Sequence, residues 1–559
     1  MSSINQLPVE ILIKIFGYLP SFGRVSLVNK LFYDVSCSVH ASKICVTFCL
    51  DFPWLEHPEH QSIMDSIENT KRQLSKVCIE YAGNVDRLSD VWETAFCDTV
   101  RILGKFSATI KFIRLKSRLL ESVSMNRSDF AQILSLIPNV EHIHMYRVFI
   151  RTNELRTNDQ PNGGCLKLDR LKTLELVECG EEFLGAFNRL PAGCLKELTI
   201  TYWQLDVQLL IEFLLSQSNI KTLTISDEDE YNDTPLPDHV FDNLKLESIL
   251  SYQRAYTKSH ANMLSKQTRL SNLRLRNGHS DTVIDESVLN IITNQLSELE
   301  ILELTVDEAH CVSFFNRIGK LKKLKDLTLD TCTLNILDTF SGLVNSRITS
   351  LNLKHVYTWS IDHDIDELGI PPMPIGSIFA LAKSVPNLKV LKFDHDCEWS
   401  TIAAIMQHFN FVEVLQTKFE ENIDPNRLSN AIEVDRCVNA TLTKLKITEE
   451  FLCDESILTK LIAIFPNLKK LNIDSPKSPS ISQFKLILSG FDRMVSLKLY
   501  FRQNFGLTAE YLDCIKDHKD KFKSIKLGSL NEFTVEHKKQ LDGVFDVIRY
   551  KYSQLFLSN

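Results

Sequence analysis

The chain has 559 residues, a formal net charge of −8 and 44% hydrophobic residues. That length exceeds the roughly 250–300 residues at which one compact core stops growing, so several domains or a repeat array is expected. The acidic balance argues against a general nucleic-acid binder. No apolar run reaches the ~18 residues needed to span a bilayer, so no membrane partner is expected.

Residues 7–32, LPVEILIKIFGYLPSFGRVSLVNKLF, open the chain's organised part. Pro8 suits the first helical position, where its missing N–H costs nothing. Leu12, Ile15, Phe16 and Leu19 then follow the spacing of an apolar helix face, and Pro20 stops the helix. Val28, Leu31, Phe32 and Val35 repeat that spacing, so two short helices with a break are expected. Val9, Ile11, Ile13 and Tyr18 lie off the first stripe, and a helix apolar all round needs burial on more than one side. Its second face is covered either by another protein or by the rest of this chain.

The stretch resembles an F-box. The matching residues are Leu7-Pro8, Glu10-Ile11-Leu12, Ile15-Phe16, Leu19-Pro20, Leu27-Val28 and Phe32, within about residues 4–47. Asn29 stands where the family often has Cys, and Phe32 where it often has Trp; the linker SFGRVS is poorer in acidic residues than usual. The resemblance implies that these positions dock on the Skp-type adaptor of a cullin–RING ubiquitin ligase.

One pattern dominates the remainder: an apolar residue at i, i+3 and i+5. It begins at Ile110-Ile113-Leu115 and ends at Phe522-Ile525-Leu527. Sixteen copies, including weaker ones at Leu246 and Val412, give a mean period of about 27 residues, within the leucine-rich-repeat range. Ala41-Ile44-Val46 and Leu74-Val77-Ile79 are candidate irregular first copies. The end of each motif has strand spacing. The stretches before later motifs, such as DVQLLIEFLLSQSN and ESILTKLIAIFPN, have helical spacing. Pro138-Asn139, Pro386-Asn387 and Pro466-Asn467 end three of these helices at one offset. Stacked strand–helix units share a core that none can bury alone. The expected fold is α/β: a short all-α module, then a horseshoe-shaped solenoid with a parallel sheet inside and helices outside. Cys179 and Cys332 match a position eight residues into the repeat that this family often fills with Asn or Cys.

Two intervals read as surface insertions, residues 226–242 and 354–387, both acidic and containing proline. In the tail, Leu541, Phe545, Ile548, Tyr552 and Leu555 have helical spacing, and a capping helix is expected. The expected division is 1–47 for the F-box-like module, 48–109 for irregular first repeats or linker, 110–529 for the solenoid and 530–559 for a cap or tail.

Candidate chemistry is sparse. Asp307-Glu308-Ala309-His310 spells DEAH, but no GxxxxGK[ST] phosphate loop accompanies it. His142 and His144 share one strand face without further ligands at zinc spacing. Fourteen cysteines include no C-x-x-C pair. The N-terminus MSSINQLP has no basic stretch leading into an apolar core, so no signal peptide is expected. The cysteines read as reduced, mostly buried thiols in a cytoplasmic or nuclear protein. No catalysis, metal or cofactor is expected.

The residues at i+2, i+4 and i+6 point away from the core and are the candidate target contacts. They include His142, His144 and Tyr146, Arg274 and Arg276, and Lys444, Lys446, Lys470, Lys498 and Tyr500. The lysines fall on neighbouring strands. They could hold an acidic or phosphorylated segment, or serve only solubility. The expectation is a non-catalytic substrate receptor of an SCF-type ubiquitin ligase; the alternative is a leucine-rich-repeat scaffold without a ligase role.

Overall fold

The computed structural model describes most of residues 45–558. Outside the described residues lie 1–44, 151–167, 306–316, 331–346, 355–374, 420–437, 530–545 and shorter breaks between elements. The module at 7–32, Cys332 and the motif at 307–310 therefore fall outside them. The chain divides into two compact units, residues 1–254 and 255–559.

Among the described residues, the repeat array of the first unit has eight strands, each paired parallel with the next. They are Cys45–Asp51, Lys76–Ala82, Phe112–Ser117, His142–Tyr146, Thr173–Val177, Glu197–Tyr202, Thr222–Asp227 and Ser248–Tyr252. The second unit carries ten in the same manner. They are Asn272–Arg276, Ile301–Thr305, Asp326–Asp330, Ser350–Leu353, Val390–Cys397, Val414–Phe419, Lys444–Thr448, Lys470–Ser475, Ser496–Phe501 and Ser524–Ser529.

Register follows the repeat. Ile113, Ile143, Leu174, Leu198, Leu223 and Ile249 are successive partners in the first unit. Leu302, Leu327, Leu351, Leu391, Leu415, Leu445, Leu471, Leu497 and Ile525 form the corresponding row in the second. All are buried. A slip of one residue would move every leucine to the opposite face, which is why the apolar period enforces this register.

Helices form where the spacing between motifs predicts them: Arg127–Ser135, Val207–Ser216, Ile375–Ser384 and Glu455–Ile464. Asp206 caps the second of these by accepting from the amides of Gln208 and Leu209, while Leu210, Ile211, Phe213 and Leu214 bury its inner face. Helices of neighbouring repeats pack side by side, as Glu455–Ile464 does on Ile481–Gly490.

The turns before the strands are stitched together. One carbonyl per repeat accepts two amides from the next: Lys111 from Glu141 and His142, Lys325 from Thr349 and Ser350, Thr443 from Lys469 and Lys470. The asparagine of the Pro-Asn pair adds a side-chain bond to the preceding turn. Asn467 Nδ2 donates to the Ala440 carbonyl at 2.7 Å and Asn139 Nδ2 to Ala108 at 3.3 Å.

Several expectations are corrected. The segments at 45 and 76 are regular strands, in register with the array. The interval 226–242 is not wholly a surface loop: a 3-10 turn, Asp238–Phe241, buries Val240 and Phe241 and stands in the place of a helix. The tail forms no helix over 546–558. Its strands Asp546–Lys551 and Gln554–Ser558 make an antiparallel hairpin, and the second strand pairs antiparallel with Ser524–Ser529. An open sheet edge presents unpaired amides and carbonyls, and the run VIRYKYSQLFL is rich in β-branched and aromatic residues; both outweigh helical spacing. The described cysteines are free thiols, but only Cys78, Cys179, Cys397 and Cys514 are buried, while Cys45 and Cys97 are exposed. Cys179 fills its repeat position with Sγ donating to the Val177 carbonyl at 3.3 Å, and burial pushes its thiol up to about 12.

Candidate protein-binding face

Alternation of side chains along each strand leaves one face of each sheet open. In the strand His142–Tyr146, Ile143 and Met145 are buried, and His142, His144 and Tyr146 lie on the other side. That side is internally paired. Arg114 Nε donates to His144 Nδ1 at 2.9 Å, and Glu175 Oε2 stands 3.2 Å from the same nitrogen. Burial, reinforced by Arg114 and Lys116, pushes the His144 imidazole down to about 4, so it is neutral at physiological pH. Burial pushes the Glu175 carboxyl up, against the pull of Arg114. Lys116 Nζ reaches Glu80 at 2.6 Å, and the Arg147 guanidinium lies over the Tyr146 ring at 5.2 Å. Among the described residues no group of three His, Cys, Asp or Glu side chains is placed to hold a metal ion.

In the second unit, Arg274 and Arg276 converge on Glu303. Arg276 donates to it through Nη2 at 2.8 Å, Arg274 Nε lies at 3.9 Å, and Lys354 Nζ reaches Oε1 at 2.6 Å. Burial alone would raise the Glu303 carboxyl, but the hydrogen bonds from Arg276 and Lys354 outweigh it and hold it below its ordinary value. This network borders a polar depression of about 190 Å³ that Lys392 also lines. Neither Glu175, Glu303 nor Lys354 was among the sequence candidates, although each occupies the same i+4 or i+6 offsets; considering cations and aromatics alone hid the two carboxylates, and nothing in the offsets singled out Lys354.

The lysines on later strands come together in adjacent register. Lys444 is the partner of Lys470, and Lys446, Asn472, Lys498 and Lys526 follow one another across four strands. Lys526 Nζ sits over the Tyr500 ring at 5.4 Å. Burial, then Lys392, Lys470, Lys498 and Lys446, lower the Lys444 pKa. The face can therefore bind a polymer through polar and charged side chains on a rigid backbone.

A family model described as F-box-like matches residues 4–43. Among solved structures, a leucine-rich-repeat protein of Leptospira interrogans is similar at 13% identity and TM-score 0.31, covering 80% of this chain and 97% of that one. The yeast Rad7 and Elc1 complex is similar at 13% identity and TM-score 0.35, covering 84% and 90%. The leucine-rich-repeat-containing protein LegL7 of Legionella pneumophila is similar at 12% identity and TM-score 0.29, covering 65% and 96%. No curated protein sequence matches the chain. Residues 4–43 match the F-box-like model, and the described residues after them form an α/β array of leucine-rich repeats.

Proposed function

We propose that this protein is the substrate-recognition subunit of an SCF-type E3 ubiquitin ligase, working in the cytoplasm or nucleus. The F-box-like match at residues 4–43 carries this reading. F-box domains dock on a Skp-type adaptor, and here Leu7, Pro8, Glu10, Ile11, Leu12, Ile15, Phe16, Leu19, Pro20, Leu27, Val28 and Phe32 would make that contact. The repeats supply what a receptor needs, a long backbone-paired surface whose outward side chains vary without disturbing the core. Catalysis then belongs to other subunits, and this chain contributes proximity by raising the effective concentration of a target lysine near the ubiquitin donor.

The test replaces Leu12, Ile15 and Phe16 together with polar residues and measures co-purification of the adaptor with the full-length chain. Loss of the adaptor with an unchanged circular dichroism spectrum is expected. Undiminished adaptor in that variant overturns the proposal and leaves a repeat scaffold without a ligase role.

A further inference from the structure

Many of the described lysines stand beside a carboxylate. At the turn edge of the sheets they are neutralised by a carboxylate one repeat away: Lys221 by Glu247 at 2.7 Å, Lys325 by Glu300 at 2.9 Å, Lys389 by Glu413 at 3.0 Å. On the open face of the strands from 390 to 529 the pattern breaks. Lys392, Lys444, Lys446, Lys470 and Lys498 have no carboxylate partner among the described residues, and at Lys444 burial and then the repulsion of the other four weaken proton binding. Open-face lysines on other strands are paired, Lys116 with Glu80 and Lys354 with Glu303, each at 2.6 Å.

The geometry of the patch restricts the occupant. In register order the i+4 row reads Lys392, Gln416, Lys446, Asn472, Lys498, Lys526. Amides separate three of the lysines, so Lys392, Lys446 and Lys498 stand two strands, or ~9.6 Å, apart. Asn472 Oδ1 is buried without a hydrogen-bond partner; an acceptor in that position calls for an N–H donor. The strand backbone amides are consumed in the ladder, and no arginine lies in this row to fork onto a phosphate. Point charges spaced along a sheet, with amides between them, match a chain that carries many single negative charges and its own backbone N–H groups.

We infer that the open face of the strands from Val390 to Ser529 docks an extended Asp/Glu-rich segment of a partner protein, whose carboxylates meet the lysines and whose backbone meets Asn472 and Gln416. This deepens the receptor reading and rests on it for the role of that segment as the target's recognition element.

Direct binding tests it. The full-length chain is titrated into a short fluorescein-labelled Asp/Glu peptide, its Asn/Gln counterpart, a phosphoserine peptide of equal charge and oligo-uridylate, with anisotropy as the readout. The Asp/Glu peptide should bind and weaken as salt is raised, because exposed charges are screened within ~8 Å at physiological ionic strength. The triple variant K444S/K470S/K498S should lose about tenfold in affinity, at up to ~1 kcal/mol for each exposed pair. A turn-edge control, K323S/K325S, should match the parent, and circular dichroism checks the fold of both. Equal binding of the Asn/Gln peptide, tighter binding of the phosphoserine peptide or the oligo-uridylate, or an equal loss in the control overturns the proposal. Adaptor co-purification is scored separately. If the lysine variant keeps its adaptor and loses the peptide, both readings stand; if peptide binding holds while no adaptor is ever captured, the ligase reading alone falls.

Discussion

Single side chains on the open face are tuned by what lies one strand away. His144 has its imidazole held near 4 by burial, Arg114 and Lys116. Its folded pKa lies below the ordinary value of 6.5, so between pH 6.5 and 4 the unfolded chain binds more protons than the folded one. Stability from this group is complete above pH 6.5 and is lost as the pH falls toward 4. Allowing for solvent at the sheet surface, the loss should be about 1–2 kcal/mol. Thermal unfolding followed at pH 7 and pH 5 should show a smaller difference for His144→Gln than for the parent. Glu303 is shifted in the same direction for the converse reason: cations hold it charged, where burial holds His144 neutral. Glu303→Gln removes the charge that Arg276 and Lys354 share while preserving volume. Because those cations keep partial contact with water, the unfolding free energy from urea titration should fall by about 1–2 kcal/mol, short of the cost for a fully buried pair.

At the scale of elements, each strand is held by a leucine row and by the stitched turns. Leu327 is buried between Leu302 and Leu351. Leu327→Ala should cost about 2–5 kcal/mol through lost burial and the cavity left behind. Hydrogen exchange should quicken most in strands Ile301–Thr305 and Ser350–Leu353, since repeats feel chiefly their neighbours. The C-terminal hairpin has a different duty, covering the edge of Ser524–Ser529. Removing residues 546–559 should expose that edge and produce concentration-dependent association by light scattering. Monodisperse behaviour of the shortened chain would show that the edge needs no cover. Over 546–558 the expected helix gives way to strands because helical spacing is a local signal, whereas the open edge of Ser524–Ser529 is a demand from an earlier repeat; Leu541 and Phe545 lie outside the described residues.

At the scale of the whole chain, different stretches of strand carry different charge logic. Residues 112–177 and 274–354 pair their face charges internally, through Glu175 and Glu303, whereas the lysines from 392 to 498 do not. A receptor whose selectivity rests on that patch should lose target capture, but not adaptor capture, when the lysines are replaced. Quantitative pull-down of both from the same cells separates the two.

Much of this was legible in the residues because a repeat is a local code. The i, i+3, i+5 period placed sixteen of the eighteen repeat strands and the buried rows, since a strand exposes alternate residues and nothing distant needs to be known. The same offsets listed the outward side chains, including His142 and Lys444. What required tertiary structure was every property that depends on a distant neighbour in the chain: that Arg276 and Lys354 meet on Glu303, that the pull of Arg114 reaches Glu175, that the tail becomes a strand. Composition and period are written along the chain, but pairing, burial and charge balance are decided between repeats, where one sequence stretch becomes the environment of another.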